Sequence, residues 1–407
     1  MAPQTWRWRL SMPTTLAISG SLILILILLS TSWSSSASGQ ITKIANNFGH
    51  GDTAAADSSQ QSSSHLIDDV YNSTLGFEKI FVVGLPTRTD RRDSMILAAA
   101  LSNIEIEFID GLLGETVPDK AIPAGPEYTR LPEPVIGSWR GHMNAIQEIV
   151  KRNLTSALII EDDADWDISI KDQMRDLALA SHALTQPLEG SGKYADPTYP
   201  HPQENQLEMV HNIPFKKRQP TEPPKVSPYG DHWNLMWTGH CGMHFPWSKL
   251  APRARVVQND VTVPQHRYIE GAPDLKEQYP EHARVYHHVQ EGICSLGYAV
   301  TQNTARQMVY EMGMKPFNTA FDILLLWFCD GAEKEGRSYH DCLSMQPSLF
   351  QHHRPAGSRA AESDISPHGD GYVNEAHTTV VRHSVRMNAE EIMRGGTNFK
   401  DQYPDVD

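Results

Sequence analysis

The stretch ALIIEDDADWD, residues 157–167, sets four apolar residues directly against Glu161, Asp162 and Asp163, with Asp165 and Asp167 close behind. An apolar run of this kind reads as a buried parallel strand. Like charges gathered at a strand end repel one another unless a cation sits among them. Two readings follow: a solvated loop in which one acid caps a helix, or a divalent-metal site. Hard cations such as Mn2+ or Mg2+ take carboxylate oxygens and keep positions open for phosphate oxygens. Such an ion across a diphosphate neutralises a leaving group, which is Lewis-acid catalysis. It also explains how a chain of net charge −14 could hold an anion.

Other residues could serve the same chemistry. Arg88, Arg91 and Arg92 follow an apolar run directly, and guanidinium groups at a strand–turn–helix start can cradle a diphosphate, although arginines in a first helical turn are also common surface charges. His142 flanks an apolar helix stripe and reads equally as a structural histidine or a functional one. Asp322 lies in the apolar run TAFDILLLWF; a carboxylate there is either a working base or an exposed acid at a helix start. The doublets His287-His288 and His352-His353 invite a zinc reading. The sequence has no HExxH, paired-cysteine spacing, GxSxG or P-loop to support zinc, serine or P-loop chemistry.

The elements that must position these groups alternate. EKIFVVGL (78–85) predicts a strand by its β-branched and aromatic content, and TRTDRRDSMILAAALS a helix. IEIEFIDG (104–111) predicts a second strand, and SWRGHMNAIQEIVKRN (138–153) a helix with Trp139, Met143, Ile146 and Val150 on one side. SALIIEDD closes this half. The alternation predicts an α/β fold with a mostly parallel sheet flanked by helices, and ligands at the carboxyl ends of its strands, where the acids fall. Residues 186–230 are proline-rich and polar and read as an insertion or lid, not a core element. Beyond Gly357 the chain is polar and weakly patterned.

The N-terminus carries Arg7 and Arg9, then LAISGSLILILILLS (16–30) with no charge until Lys43. That length lies between a signal-peptide core and the about 20 residues that span a bilayer. Two outcomes follow, an uncleaved anchor with a cytoplasmic basic side, or a signal cleaved near Ala37–Gly39. Both send the body into the secretory pathway. The sequons at Asn72 and Asn153 agree with that route. The four cysteines suit up to two disulfides in an oxidising lumen, with Cys329–Cys342 the preferred pair. The acidic balance disfavours nucleic acid as a partner.

FVVGLPTRTDRR, FIDG, GSWRGHMNAIQEIV and ALIIEDDADWD, followed in order by WNLMWTGHCG, LGYAVTQNTAR, TAFDILL and QPSLFQHHRPAGSRAAESDI, resemble glycosyltransferase family 25. That is the group of lipooligosaccharide and collagen galactosyltransferases, and the wording is most similar to its fungal branch. The resemblance implies a GT-A-type, Rossmann-like nucleotide-sugar-binding domain, with an inverting reaction that uses UDP-galactose and Mn2+. It implies a metal site at Glu161, Asp162 and Asp163. Arg88, Arg91, Arg92, Asp110 and His142 would serve the donor. Asp322 would take the proton of a glycan or glycoprotein hydroxyl, with His240 and Asp364 as the next candidates. Two departures stand out: Gly84 occupies a position where the family usually has Asn, and Thr87 one where it usually has Arg.

The expected organisation is a cytoplasmic tail at 1–12, a membrane anchor at 13–32 and a flexible stem at 33–76. A catalytic domain at 77–355 and a C-terminal tail at 356–407 complete it, in a single-pass protein of the Golgi or ER with a lumenal body, or a secreted one after signal cleavage. Competing readings are a transferase-like protein that binds a glycan or partner without catalysis, and a metal-dependent phosphoester hydrolase.

Overall fold

The computed structural model describes residues 66–332, 336–365 and 369–407. The expected cytoplasmic tail, membrane anchor and most of the stem lie outside the described residues. No helix among the described residues is long and apolar enough to cross a membrane.

The sheet is built on β1 (Lys79–Gly84), β2 (Glu107–Asp110) and β3 (Ser156–Glu161), which pair in parallel with β1 in the middle. Between them run α1 (Thr89–Leu101) and α2 (Glu133–Arg152). Side chains alternate strictly across the sheet. Ile80, Val82, Leu158 and Ile160 enter one apolar core, with Met95 and Ala98 of α1. Phe81, Val83, Ala157 and Ile159 enter a second, with Trp139, Met143 and Ile146 of α2. Helix α2 starts five residues before its predicted start, because Pro134 fits the first turn without needing its missing N–H. It ends on Asn153 in the left-handed conformation, φ 57°.

The chain continues through β4 (Ala164–Asp165), α3 (Ile170–Thr185), β5 (His211–Pro214), β6 (Leu235–Gly239), β7 (Ala254–Asn259), α4 (Pro273–Gln278), β8 (Ala283–His288) and β9 (Gly297–Thr301). It ends with α5 (Gln302–Gly313), α6 (Phe321–Asp330), β10 (Cys342–Gln346), β11 (Gln351–Arg354), β12 (Gly357–Ser358), β13 (Tyr372–Val373), β14 (His377–Thr378) and α7 (Ala389–Met393). The large sheet has nine strands in the order β2-β1-β3-β9-β6-β10-β8-β7-β5. All of them run in one direction except β8 and β9. This is the α/β, mostly parallel, Rossmann-like architecture implied by the sequence. A small sheet, β14-β11-β4, sits beyond the carboxyl end of β3.

Three segments do more than their composition indicated. Val70 and Leu75, expected in the stem, are fully buried, and the Tyr229 hydroxyl donates to the Leu75 carbonyl at 2.6 Å. The proline-rich 186–230 stretch supplies the edge strand β5 and the buried Tyr229, so part of it is core. It also walls a cavity of about 580 Å3 that shares no lining residue with the acid-bearing cleft. The polar C-terminal tail packs behind the acid motif: the hydroxyls of Thr378 and Ser384 donate to Asp165, and Val385 joins the core. Two disulfides, Cys329–Cys342 and Cys241–Cys294, tie the second half.

Candidate active site

Strand β3 delivers Glu161 to its carboxyl end, and the turn that follows presents Asp162 and Asp163. The five acids of this stretch separate into different tasks. Asp165 is fully buried and accepts from the Trp166 N–H at 2.8 Å as well as from Thr378 and Ser384, so it ties the tail to the motif. Asp167 accepts from the N–H groups of Ser169 and His383 at 2.9 and 3.1 Å, fixing the start of α3.

Asp162 turns toward α1 and accepts from Arg91 Nη1 at 2.8 Å. Burial pushes its carboxyl up to about 6, against the pull of Arg91. It fits because residue 84 is glycine: a Cβ there would lie 2.1 Å from Asp162 Oδ2.

Glu161 and Asp163 lie where β11 brings in His352. One donor atom from each of Glu161, Asp163 and His352 lies within 4.8 Å of the others. Asp163 Oδ1 is buried without a hydrogen-bond partner, and Oδ2 is 3.4 Å from Arg91. Burial works against the charge on Glu161, but hydrogen bonds from His142 and Ser295 keep it an acid of pKa about 2. Two carboxylates and an imidazole, with one orphaned buried oxygen, fit a divalent cation. The nitrogen donor favours Mn2+ over Mg2+, which prefers an all-oxygen shell. Asp162, expected among the ligands, accepts from Arg91, and His352 offers a third donor atom beside Glu161 and Asp163.

These residues line a cleft of about 600 Å3. Its walls include Arg91 and Arg354 beside the acids, His142 from α2 and Asp322 from the first turn of α6. Asp322 accepts from the N–H of Cys294 at 3.1 Å and of Ile323 at 2.9 Å, both through its carboxylate. His142 is 2% exposed, stacks on Phe321 at 4.3 Å and meets the Tyr298 hydroxyl at 3.1 Å.

The remaining candidates divide. Arg88 pairs with Asp90 and Asp364, and Arg92 pairs with Asp110 while lying over the Phe108 ring. Arg88, Arg92 and Asp110 do not line the cleft, whereas Asp364 stands at its edge. His240 is not in the cleft either. Its imidazole is buried, donates from Nε2 to the Met345 carbonyl at 2.9 Å, and is pushed down to about 4 by desolvation. It lines a smaller cavity of about 200 Å3 that shares Cys241 and His352 with the cleft. Residues not singled out from the sequence are Ser295, Arg354 and Arg386, which donates to the carbonyls of Asp162 and Ala164 at 3.1 and 2.6 Å. His352 was visible as half of a doublet, but the strand pairing that brings it to the acids sets it opposite Ala164, 188 residues earlier, and carried no local mark.

The sequence is similar to those of known proteins. A family model described as "Glycosyltransferase family 25 (LPS biosynthesis protein)" matches residues 77–325, more than half of the chain. Procollagen galactosyltransferase 2 of Mus musculus and of Homo sapiens is 27% identical over 118 residues, 26% of this chain and 19% of each relative. Procollagen galactosyltransferase 1 of Danio rerio is 30% identical over 114 residues, 25% of this chain and 19% of the relative. The alignments thus span 19% of the length of these curated relatives.

Proposed function

The chain belongs to glycosyltransferase family 25, and from that premise we propose that it transfers a hexosyl group, galactose favoured, from a UDP-sugar to a hydroxyl of a glycan or glycoprotein. The observation that carries this reading is the convergence of Glu161, Asp163 and His352 at the carboxyl end of β3, in one cleft with Asp322. Ligands of α/β sheets bind at that end.

Glu161, Asp163 and His352 would hold Mn2+, which supplies charge neutralisation for a diphosphate leaving group. Arg91 and Arg354 add guanidinium groups beside it. Transfer is a single displacement with inversion. The acceptor oxygen bonds to the anomeric carbon as the bond from that carbon to the diphosphate oxygen breaks, and UDP departs with the electron pair. Asp322 takes the acceptor proton, which its two backbone N–H donors favour by holding a fixed carboxylate orientation. The two disulfides support an oxidising compartment, in keeping with a lumenal body behind an anchor at 13–32.

The test is thermal stability and sugar transfer of the full chain with UDP-galactose, UDP-glucose and GDP-mannose, each with and without Mn2+. A donor at about 100 times its Kd adds roughly 2.7 kcal/mol. A Mn2+-dependent shift for one UDP-sugar, with matching transfer, is expected. No shift with any donor would favour a binding protein without catalysis.

A further inference from the structure

The groups assigned above to the two halves of the reaction come from separate elements, yet two adjacent residues touch both halves. Cys294, a non-glycine residue at φ 65°, donates its backbone N–H to Asp322 at 3.1 Å. Ser295 Oγ lies 2.8 Å from Glu161 Oε1. An ionised carboxylate only accepts, so the hydroxyl hydrogen points to Glu161. His142 Nε2 lies 3.3 Å from the serine oxygen and 3.4 Å from Glu161 Oε1, within reach of both. On its other side, His142 Nδ1 lies 3.1 Å from the Tyr298 hydroxyl. The result is a buried hydrogen-bonded relay that links Tyr298, His142 and Ser295 to Glu161.

His142 stacks face to face with Phe321, and the next residue is Asp322. The turn is also sewn to the third candidate ligand. Cys294 is bonded to Cys241, whose Sγ is 3.9 Å from His352 Nδ1. The Cys241 N–H donates to the Ile293 carbonyl at 3.0 Å, and the Ile293 N–H to Gly242 at 3.2 Å. A left-handed residue persists only where its surroundings over-determine it, and here they are the groups named for chemistry.

We propose that the Cys294–Ser295 turn, tethered by Cys241, is the positioning element of the transfer reaction, fixing the proton acceptor Asp322 relative to the metal carboxylate Glu161. This rests on the function proposed above. Ser295 touches neither sugar nor metal in this scheme; it acts through Glu161 by holding the lone-pair direction that a cation requires.

The experiment compares the full chain with Ser295→Ala, Ser295→Thr, Tyr298→Phe, the double variant Cys241→Ser/Cys294→Ser, and Asp163→Ala. Mn2+ affinity is read without donor, by the electron paramagnetic resonance signal of free Mn2+, and kcat and KM are read separately. Ser295→Ala is expected to weaken Mn2+ binding about 10- to 100-fold and lower kcat, with acceptor KM unchanged. Ser295→Thr, which keeps the hydroxyl, restores both. Tyr298→Phe, at the far end of the relay, moves both the same way by a few-fold. The double serine variant lowers kcat at saturating Mn2+ through the Asp322 arm. Wild-type Mn2+ affinity in Ser295→Ala, or unchanged kcat in the double variant, overturns the proposal. If Asp163→Ala keeps full affinity and activity, the parent reading of the site falls; if it loses both while Ser295→Ala does not, only the positioning role falls.

Discussion

Gly84 and Asp162 compete for one volume: a Cβ on residue 84 would lie 2.1 Å from Asp162 Oδ2 and 2.7 Å from its Cβ. The glycine lets the carboxylate fold back onto Arg91 and leaves Asp163 to face the cleft. Gly84→Ala should therefore force Asp162 off Arg91 and cost about 1–3 kcal/mol as overpacking. Adding Asp162→Gly should recover part of that loss. Denaturant melts of both single variants and the double variant check this; strict additivity would show that the two residues do not share space.

Asp163→Asn keeps the side chain's shape and removes its charge. The metal-free protein should melt within a few degrees of wild type, because the charge it loses is one of several crowded acids. Stabilisation by Mn2+ should disappear, and transfer should fall at least about a hundredfold. Thermal melts with and without Mn2+ separate these effects. Equal Mn2+ stabilisation of wild type and variant would remove Asp163 from the ligand set.

Asp322 and His240 should respond oppositely to mutation. Asp322→Asn removes the proton acceptor and should lower kcat about 10²- to 10⁴-fold while donor-induced stabilisation stays intact. His240→Gln disturbs a buried hydrogen bond to Met345 and should cost about 1–3 kcal/mol of stability, with kcat near wild type. Steady-state kinetics beside melting curves decide between them; a kcat loss confined to His240→Gln would reverse the assignment.

Asp330 gives the protein a pH signature outside the cleft. Burial raises its carboxyl from the ordinary 3.8 to about 7, although it accepts from the Glu291 N–H and from Gln290. Between those two values the native state binds more protons than the unfolded chain, so this group's contribution to stability falls as pH rises. Asp330→Asn should remove that slope: its melting temperature relative to wild type should climb from pH 5 to pH 8. A difference that stays flat across that range would mean that Asp330 is ionised in the fold.

Much of this architecture was legible because it is periodic. β1 and β3 are short apolar runs whose alternate residues enter opposite cores, and α2 carries its buried residues at helical spacing. β5 was not legible: HNIP has no alternation, and it is a strand because β7, forty residues later, offers an edge. The tail after Gly357 gave no pattern because it is held by hydroxyl contacts to Asp165 and by single apolar residues such as Val380 and Val385, not by a periodic apolar face. At the site, the acid cluster marked the place, but the division of labour within it did not show. Which acid faces Arg91 depends on an absent side chain at Gly84, and His352 reaches the acids only through the pairing of β11 with β4.

β9 lies between β3 and β6 and runs against both. Its first residue, Gly297, therefore stands beside Ile160 and Gly239 where those strands finish, and the Leu296 carbonyl accepts from the Glu161 N–H at 3.0 Å. The consequence is a constraint on chain length. One residue gained or lost between Cys294 and Gly297 would turn every side chain of β9 to the opposite face and carry Ser295 away from Glu161. The far end of β9, which passes directly into α5, carries no such coupling to the acids. Insertions and deletions are thus barred from the three-residue approach to the strand, and any natural drift in loop size must fall elsewhere.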